Sequence, residues 1–210
     1  MAGNAVPSAP PRTLLIACGA LAREVVDIIR LNGWRHMTVT CLPAGWHNTP
    51  DRIPEGVRRK IREARADYEV IKVLYGDCGS GGLLDRVLEE EGVERIPGPH
   101  CYAFYTGLDR FEDMAEAEIG TFYLTDYLVR HFERLIVQGL GLDRHPELLD
   151  AYFGNYTAVM YLAQTEDAAL QARAKAAAER LGLAYRYHFT GMSGLAGYMA
   201  GTAAGAPAGA

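Results

Sequence analysis

The chain has 210 residues, 49% hydrophobic and 22% charged, which suits one compact globular domain with a substantial core. A formal net charge of −5 and a pI near 5.7 argue against a surface built for nucleic acid or anionic lipid, since either needs clustered Lys and Arg. The densest basic cluster, Arg58, Arg59, Lys60, Arg62 and Arg65, is interleaved with Glu55, Glu63 and Asp67 and reads as the solvated face of a helix.

No apolar run approaches the roughly 20 residues of a membrane span, and MAGNAVPSAPPR lacks the basic-then-apolar order of a secretion signal. A cytoplasmic protein is expected. There, four cysteines point to metal ligation or catalysis rather than to a disulfide framework.

Residues 1–12 and 201–210 are small-residue segments expected to be disordered, which leaves 13–200 as a single α/β domain. Within it, buried strands alternate with amphipathic helices. Strand 13–17 ends in CGALAR, and helix 21–31 carries Val25, Ile28 and Ile29 as its apolar stripe. Strand 37–42 leads through PAGWHNTP into helix 54–66, and strands 70–75 and 93–96 flank helix 83–91. After Cys101 come a short helix and the acidic, exposed segment FEDMAEAE.

Strand 121–124 is capped by Thr125 and Asp126 into a long helix, and HPELLDAYFGN is a further helix with Pro146 in its first turn. Strand 156–163, helix 168–181 with Thr165 and Asp167 as caps, and strand 184–189 complete the pattern. This alternation predicts a three-layer α/β fold with a mainly parallel, Rossmann-like sheet flanked by helices.

Ligands of such sheets bind beyond the carboxyl ends of the strands. Cys18, Cys78 and Cys101 each stand where a strand stops, beside Gly, Asp or His, and are the expected metal ligands. They suit zinc, with His47 or His100 as a further ligand, or a [4Fe–4S] cluster with one iron open to substrate. His47, His100 and Asp77 are the candidate catalytic groups, and Gly19, Gly79 and Gly81 let backbone approach a cofactor closely. Bland readings stand beside these: a cysteine near a strand is commonly a small buried hydrophobe, a turn histidine a surface residue, and Asp77 or Asp126 a helix cap.

Cys41 lies inside a strand and belongs to the core, while His36, His131, His145 and His188 read as structural. YGDCGSGG is a poor phosphate loop, lacking the G-x-x-x-x-G-K-[ST] order and placing Asp77 where an anion would be repelled.

The ordered motifs CGALARE, LPAGWHNTP, YGDCGSGG, RIPGPHCY, GTFYLTDYLVRHFE, GLGLDRHPEL, FGNYTAVMYLAQ and LGLAYRY resemble an uncharacterised bacterial and archaeal domain-of-unknown-function family, DUF1638. The resemblance covers nearly all of 13–191 and implies a shared fold and site. It also implies a setting in corrinoid-dependent methyl transfer and one-carbon metabolism, and a glutamate after HCY where this chain has Ala103. A looser, fold-level analogy is quinolinate synthase, in which three cysteines from separate α/β units hold a cluster.

The expectation is thus a metal- or iron–sulfur-binding enzyme, a lyase, hydrolase or group transferase, acting on a small molecule in one-carbon metabolism. The alternative is a metal-free accessory or small-molecule-binding module serving corrinoid methyltransferase components. Ile136 and Leu140 suit a core or a dimer contact equally.

Overall fold

The computed structural model describes residues 9–117 and 119–203. Most of the two expected disordered segments, 1–8 and 204–210, lies outside the described residues. Among the described residues no helix is long and apolar enough to cross a membrane.

The first half contains β1 (Thr13–Cys18), α1 (Ala22–Leu31), β2 (Met37–Leu42), α2 (Ile53–Ala64), β3 (Val70–Leu74), α3 (Leu83–Glu91) and β4 (Glu94–Arg95). Its four strands form a parallel sheet in the order β2-β1-β3-β4. Because side chains alternate along a strand, Leu14 and Ile16 of β1 face α2 and α3, while Leu15 and Ala17 face α1. All four are buried, as both faces of the sheet are covered.

The second half contains α4 (Tyr102–Thr106), α5 (Leu108–Ala117), β5 (Thr121–Thr125), α6 (Asp126–Arg130), α7 (Leu148–Phe153), β6 (Ala158–Ala163), α8 (Ala168–Leu181), β7 (Ala184–Phe189) and α9 (Ser193–Ala203). Its strands form a second parallel sheet, β5-β6-β7. The α/β class and parallel pairing are as expected, but the strands divide between two sheets. β4 is only two residues long and runs into Pro97, Gly98 and Pro99, which cannot continue a ladder. Beyond that break, α4 and α5 carry the chain across to start the second sheet, and the acidic segment is mostly helical, with Phe111 buried.

The long helix expected after β5 is also interrupted. Thr125 caps α6 by accepting from the Leu128 amide, but α6 ends at Arg130 and a π-helical segment, Glu133–Val137, follows. Such segments widen the helix and are frequent at functional sites. Asp126 does not act as a cap: buried at the end of β5, it accepts from Tyr161 Oη at 2.7 Å and the Gln164 amide at 3.0 Å. Thr165 also donates to Asp126, which leaves Asp167 to cap α8.

One helix was not foreseen. α9 includes residues 201–203, which the sequence placed in a disordered tail, and it packs back onto the first sheet. Leu195 and Met199 are fully buried among Leu15, Ala17 and Leu21. A Cβ on Gly194 would lie 2.5 Å from the Phe104 carbonyl oxygen, so only glycine permits this approach to α4.

Candidate functional site

In the first sheet β1 lies between β2 and β3, so the crossover from β1 leads to one side and the next, from β2, returns past β1 to the other. The crevice at the carboxyl ends of β1 and β3 is the topological switch point, where ligands of doubly wound sheets bind. A cavity of about 200 Å³ opens there, lined by Cys18, His47, Cys78, His100 and Cys101 from the first half and by Leu128, Leu135 and Ile136 from the second. The three predicted cysteines and both predicted histidines therefore share one cavity.

Each side chain is held by its local chain path. His47 lies in the 3-10 turn Ala44–Asn48, which is pinned because Trp46 packs on Gly56 of α2, where a Cβ would come within 2.3 Å of the indole. Asn48 donates to the Leu135 carbonyl at 3.3 Å, joining that turn to the π-helical segment. Cys78 follows β3 in a left-handed backbone conformation, φ 49°, uncommon for a residue other than glycine. His100 precedes α4, stacked on Tyr102 with ring centroids 3.9 Å apart. Gly76 allows β3 to end against His100, since a Cβ there would lie 2.8 Å from the His100 Cα and N.

The two histidines meet tip to tip. His47 Nε2 and His100 Nε2 are 3.3 Å apart, and Cys78 supplies a sulfur such that all three donor atoms lie within 4.8 Å of one another. Ligands of a tetrahedral zinc with Zn–N near 2.05 Å stand about 3.3 Å apart, so the imidazole spacing is compatible with that ion. Cys18 and Cys101 fall outside this donor set.

Protonation separates the three thiols. Burial pushes Cys18 up to about 11, and its sulfur accepts from the Ala20 amide at 3.5 Å as the cap of the turn after β1. Cys101 is held well above the usual thiol range by its hydrogen bond to Cys78 and by burial. Cys78 is drawn down to about 4, chiefly by that hydrogen bond from Cys101 and also by His47. Among the described residues the donors grouped closely enough to hold an ion are His47, Cys78 and His100, so the expected three-cysteine cradle for zinc or a [4Fe–4S] cluster gives way to a set with one sulfur.

Cys101 supports the donor set instead of joining it. Its sulfur lies 3.4 Å from His100 Nδ1, within hydrogen-bond reach of the ring. Burial, drawing His100 down to about 4, favours the neutral ring, the form that ligates metal, and the contact with Cys101 orients it.

Other expected site residues serve the loops. Asp77 accepts from Ser80 Oγ at 2.7 Å and from the amides of Gly81 and Gly82, and these bonds lower its pKa against the opposing effect of burial. It is a loop cap and not a free base, and the amides of Gly81 and Gly82 are not free for a cofactor. Gly79, φ 86°, and Gly81, φ 62°, permit the turn, and Gly19 lets the end of β1 close on Leu42 and Ala44. Cys41 packs against the core, as expected.

Sequence reasoning missed Gly56 and Gly76, which place the two histidines, and the cavity wall from the second half. Gly76 stands inside YGDCGSGG, but nothing in the string indicates that His100 will lie against it. Tyr75 was also missed: its buried hydroxyl approaches Cys18 without a well-formed hydrogen bond.

No curated protein and no solved structure matches the chain. Residues 41–198, which include His47, Cys78, His100 and Cys101, match the family model described as Protein of unknown function (DUF1638), and the protein belongs to that family.

Proposed function

We propose that the protein holds one divalent metal ion of zinc type at His47, Cys78 and His100 and is an enzyme acting on a small molecule in the adjoining cavity. The observation that carries this reading is the 3.3 Å spacing of two imidazole Nε2 atoms within reach of the Cys78 sulfur. Three protein ligands leave a position for water or substrate, and a metal so bound supplies Lewis acidity for hydrolytic, lyase or group-transfer chemistry.

The chain's own groups have separable roles. Cys78 contributes the anionic donor and Cys101 steadies that anion by an S–H···S hydrogen bond. His100 offers Nε2 because Nδ1 is engaged by Cys101, while His47, exposed, stands at the mouth of the cavity. Tyr102, stacked on His100 and donating to the Tyr123 carbonyl, limits rotation of the ring. The one-carbon setting and corrinoid partners implied by the family resemblance are compatible with group transfer at such a centre.

The reading is tested by loading with zinc and competing with a chromophoric chelator. Wild type is expected to bind one equivalent, with affinity lowered at least about 100-fold in Cys78→Ala and about 10- to 100-fold in Cys101→Ala, as for groups that orient a ligand. Cys18→Ala should change it by less than about threefold, within ordinary context effects. Equal losses for Cys18→Ala and Cys78→Ala would restore the three-thiol arrangement.

One observation favours a second reading. A thiolate on a left-handed residue between a strand and a helix, with His47 adjacent, is also the arrangement of a cysteine nucleophile. Protein that binds no zinc but forms a covalent adduct at Cys78 with a thioester or alkylating substrate would select it.

A further inference from the structure

The cavity constrains what can reach the centre, and this step rests on the metal reading only for the ligand's donor atom. Among the described residues no Lys, Arg, Asp or Glu lines it. Its apolar lining includes Leu128, Leu135, Ile136 and Leu140, together with Phe122 and Ile53. Beyond the histidines and cysteines, its polar groups are the Thr125 hydroxyl, the Asn48 amide and the phenols of Tyr75, Tyr102 and Tyr127, all uncharged side chains. At about 200 Å³ it is smaller than the roughly 300–1,000 Å³ sites that take drug-sized ligands, which excludes the body of a nucleotide.

From the absence of any countercharge in this wall, we infer that the substrate class is a small, largely apolar molecule with one donor atom for the centre and no formal charge elsewhere. A carboxylate, phosphate or ammonium on the body of the ligand would be buried beside leucine and isoleucine without a partner, which is strongly unfavourable. The donor atom alone meets polar chemistry, at His47, Cys78 and His100. This goes beyond the choice of metal, because it follows from the wall and not from the ligands.

Two measurements separate the inference from the reading beneath it. In the full-length protein loaded with cobalt(II), titration followed by the sulfur-to-metal absorption band would compare 1-butanethiol with 3-mercaptopropionate and cysteamine, which share the thiol and add a charge. The neutral thiol is expected to bind at least about tenfold more tightly, a difference of roughly 1.4 kcal/mol. Charged thiols binding equally well or better would overturn the substrate class while leaving the metal site intact.

If no cobalt binds, the metal reading fails, and the metal-free protein still decides the cavity. Saturation-transfer NMR should then detect 1-butanol but not butyrate or butylammonium, and the signal should vanish in Ala20→Phe, whose ring fills the cavity from its rim. Butyrate or butylammonium saturated as strongly as butanol, or a butanol signal unchanged in folded Ala20→Phe, would contradict the inference.

Discussion

Cys78 combines a left-handed backbone with a thiol whose pKa its neighbours lower. The backbone conformation costs about 1 kcal/mol or more, and the rigid turn around it holds the residue there. The thiolate is favoured by the Cys101 hydrogen bond and by His47. Because its pKa is lowered to about 4, Cys78 is charged above that pH, whereas Cys18, raised to about 11, is neutral up to that pH.

Iodoacetamide should therefore alkylate Cys78 in metal-free protein at a rate nearly constant from about pH 8 to pH 5, falling about tenfold per unit once the thiolate fraction drops. Cys18 and Cys101 should stay slow across that range, as peptide mass spectrometry would report. A tenfold fall per unit between pH 8 and pH 6 at Cys78 would refute the assignment. None of this was legible in the sequence. All three cysteines occupy similar strand ends there, and which one ionises depends on a sulfur-to-sulfur contact that only the fold creates.

The turn after β3 shows how an element positions a ligand. Asp77 gathers Ser80, Gly81 and Gly82 around its carboxylate, closing the loop that aims Cys78 into the cavity. Its pKa is lowered in the folded protein, so its contribution is fully present above the unfolded carboxylate value near 4 and is lost as pH falls through the lower folded value. Asp77→Asn is expected to cost about 1 kcal/mol at pH 7, the scale of a lost cap. Denaturation midpoints of variant and wild type should converge as the pH falls below about 4. A gap independent of pH would show that the carboxylate's charge is irrelevant to the loop.

Elements of this kind were readable where an apolar run is bounded by turn residues. The bounds of β2, α3, α8 and β7 agree with the sequence reading for that reason. The π-helical segment was not readable, because its apolar residues also fit an ordinary helix. Bonds to the fifth residue back distinguish it, such as that from the Gln138 amide to the Glu133 carbonyl at 2.9 Å.

Across the whole molecule, the site depends on two sheets meeting at one crevice. The first contributes the donors, the second the apolar wall, and α4 packs against both, with Phe104 in one core and Ala103 in the other. The returning α9 covers the face of the first sheet next to α1. Its sequence, SGLAGYMAGTA, spaces Leu195 and Met199 four apart among small residues, so it lacks the broad apolar stripe that identifies an amphipathic helix. Leu195→Ala should destabilise the protein by about 2–4 kcal/mol, measured by denaturant unfolding, as for a large-to-small change at a fully buried site. A cost below about 0.5 kcal/mol, typical of surface positions, would mean that α9 does not dock.

The division into two sheets was likewise hidden, since strand and helix alternation reads the same whether the strands form one sheet or two. The assembled crevice nevertheless makes a sharp demand on any metal it holds. X-ray absorption on protein loaded with one equivalent of zinc should give one sulfur at about 2.3 Å and two imidazole nitrogens at about 2.0 Å, with one further light atom. Two or three sulfurs in the shell, or no stoichiometric uptake at all, would contradict the centre formed by His47, Cys78 and His100.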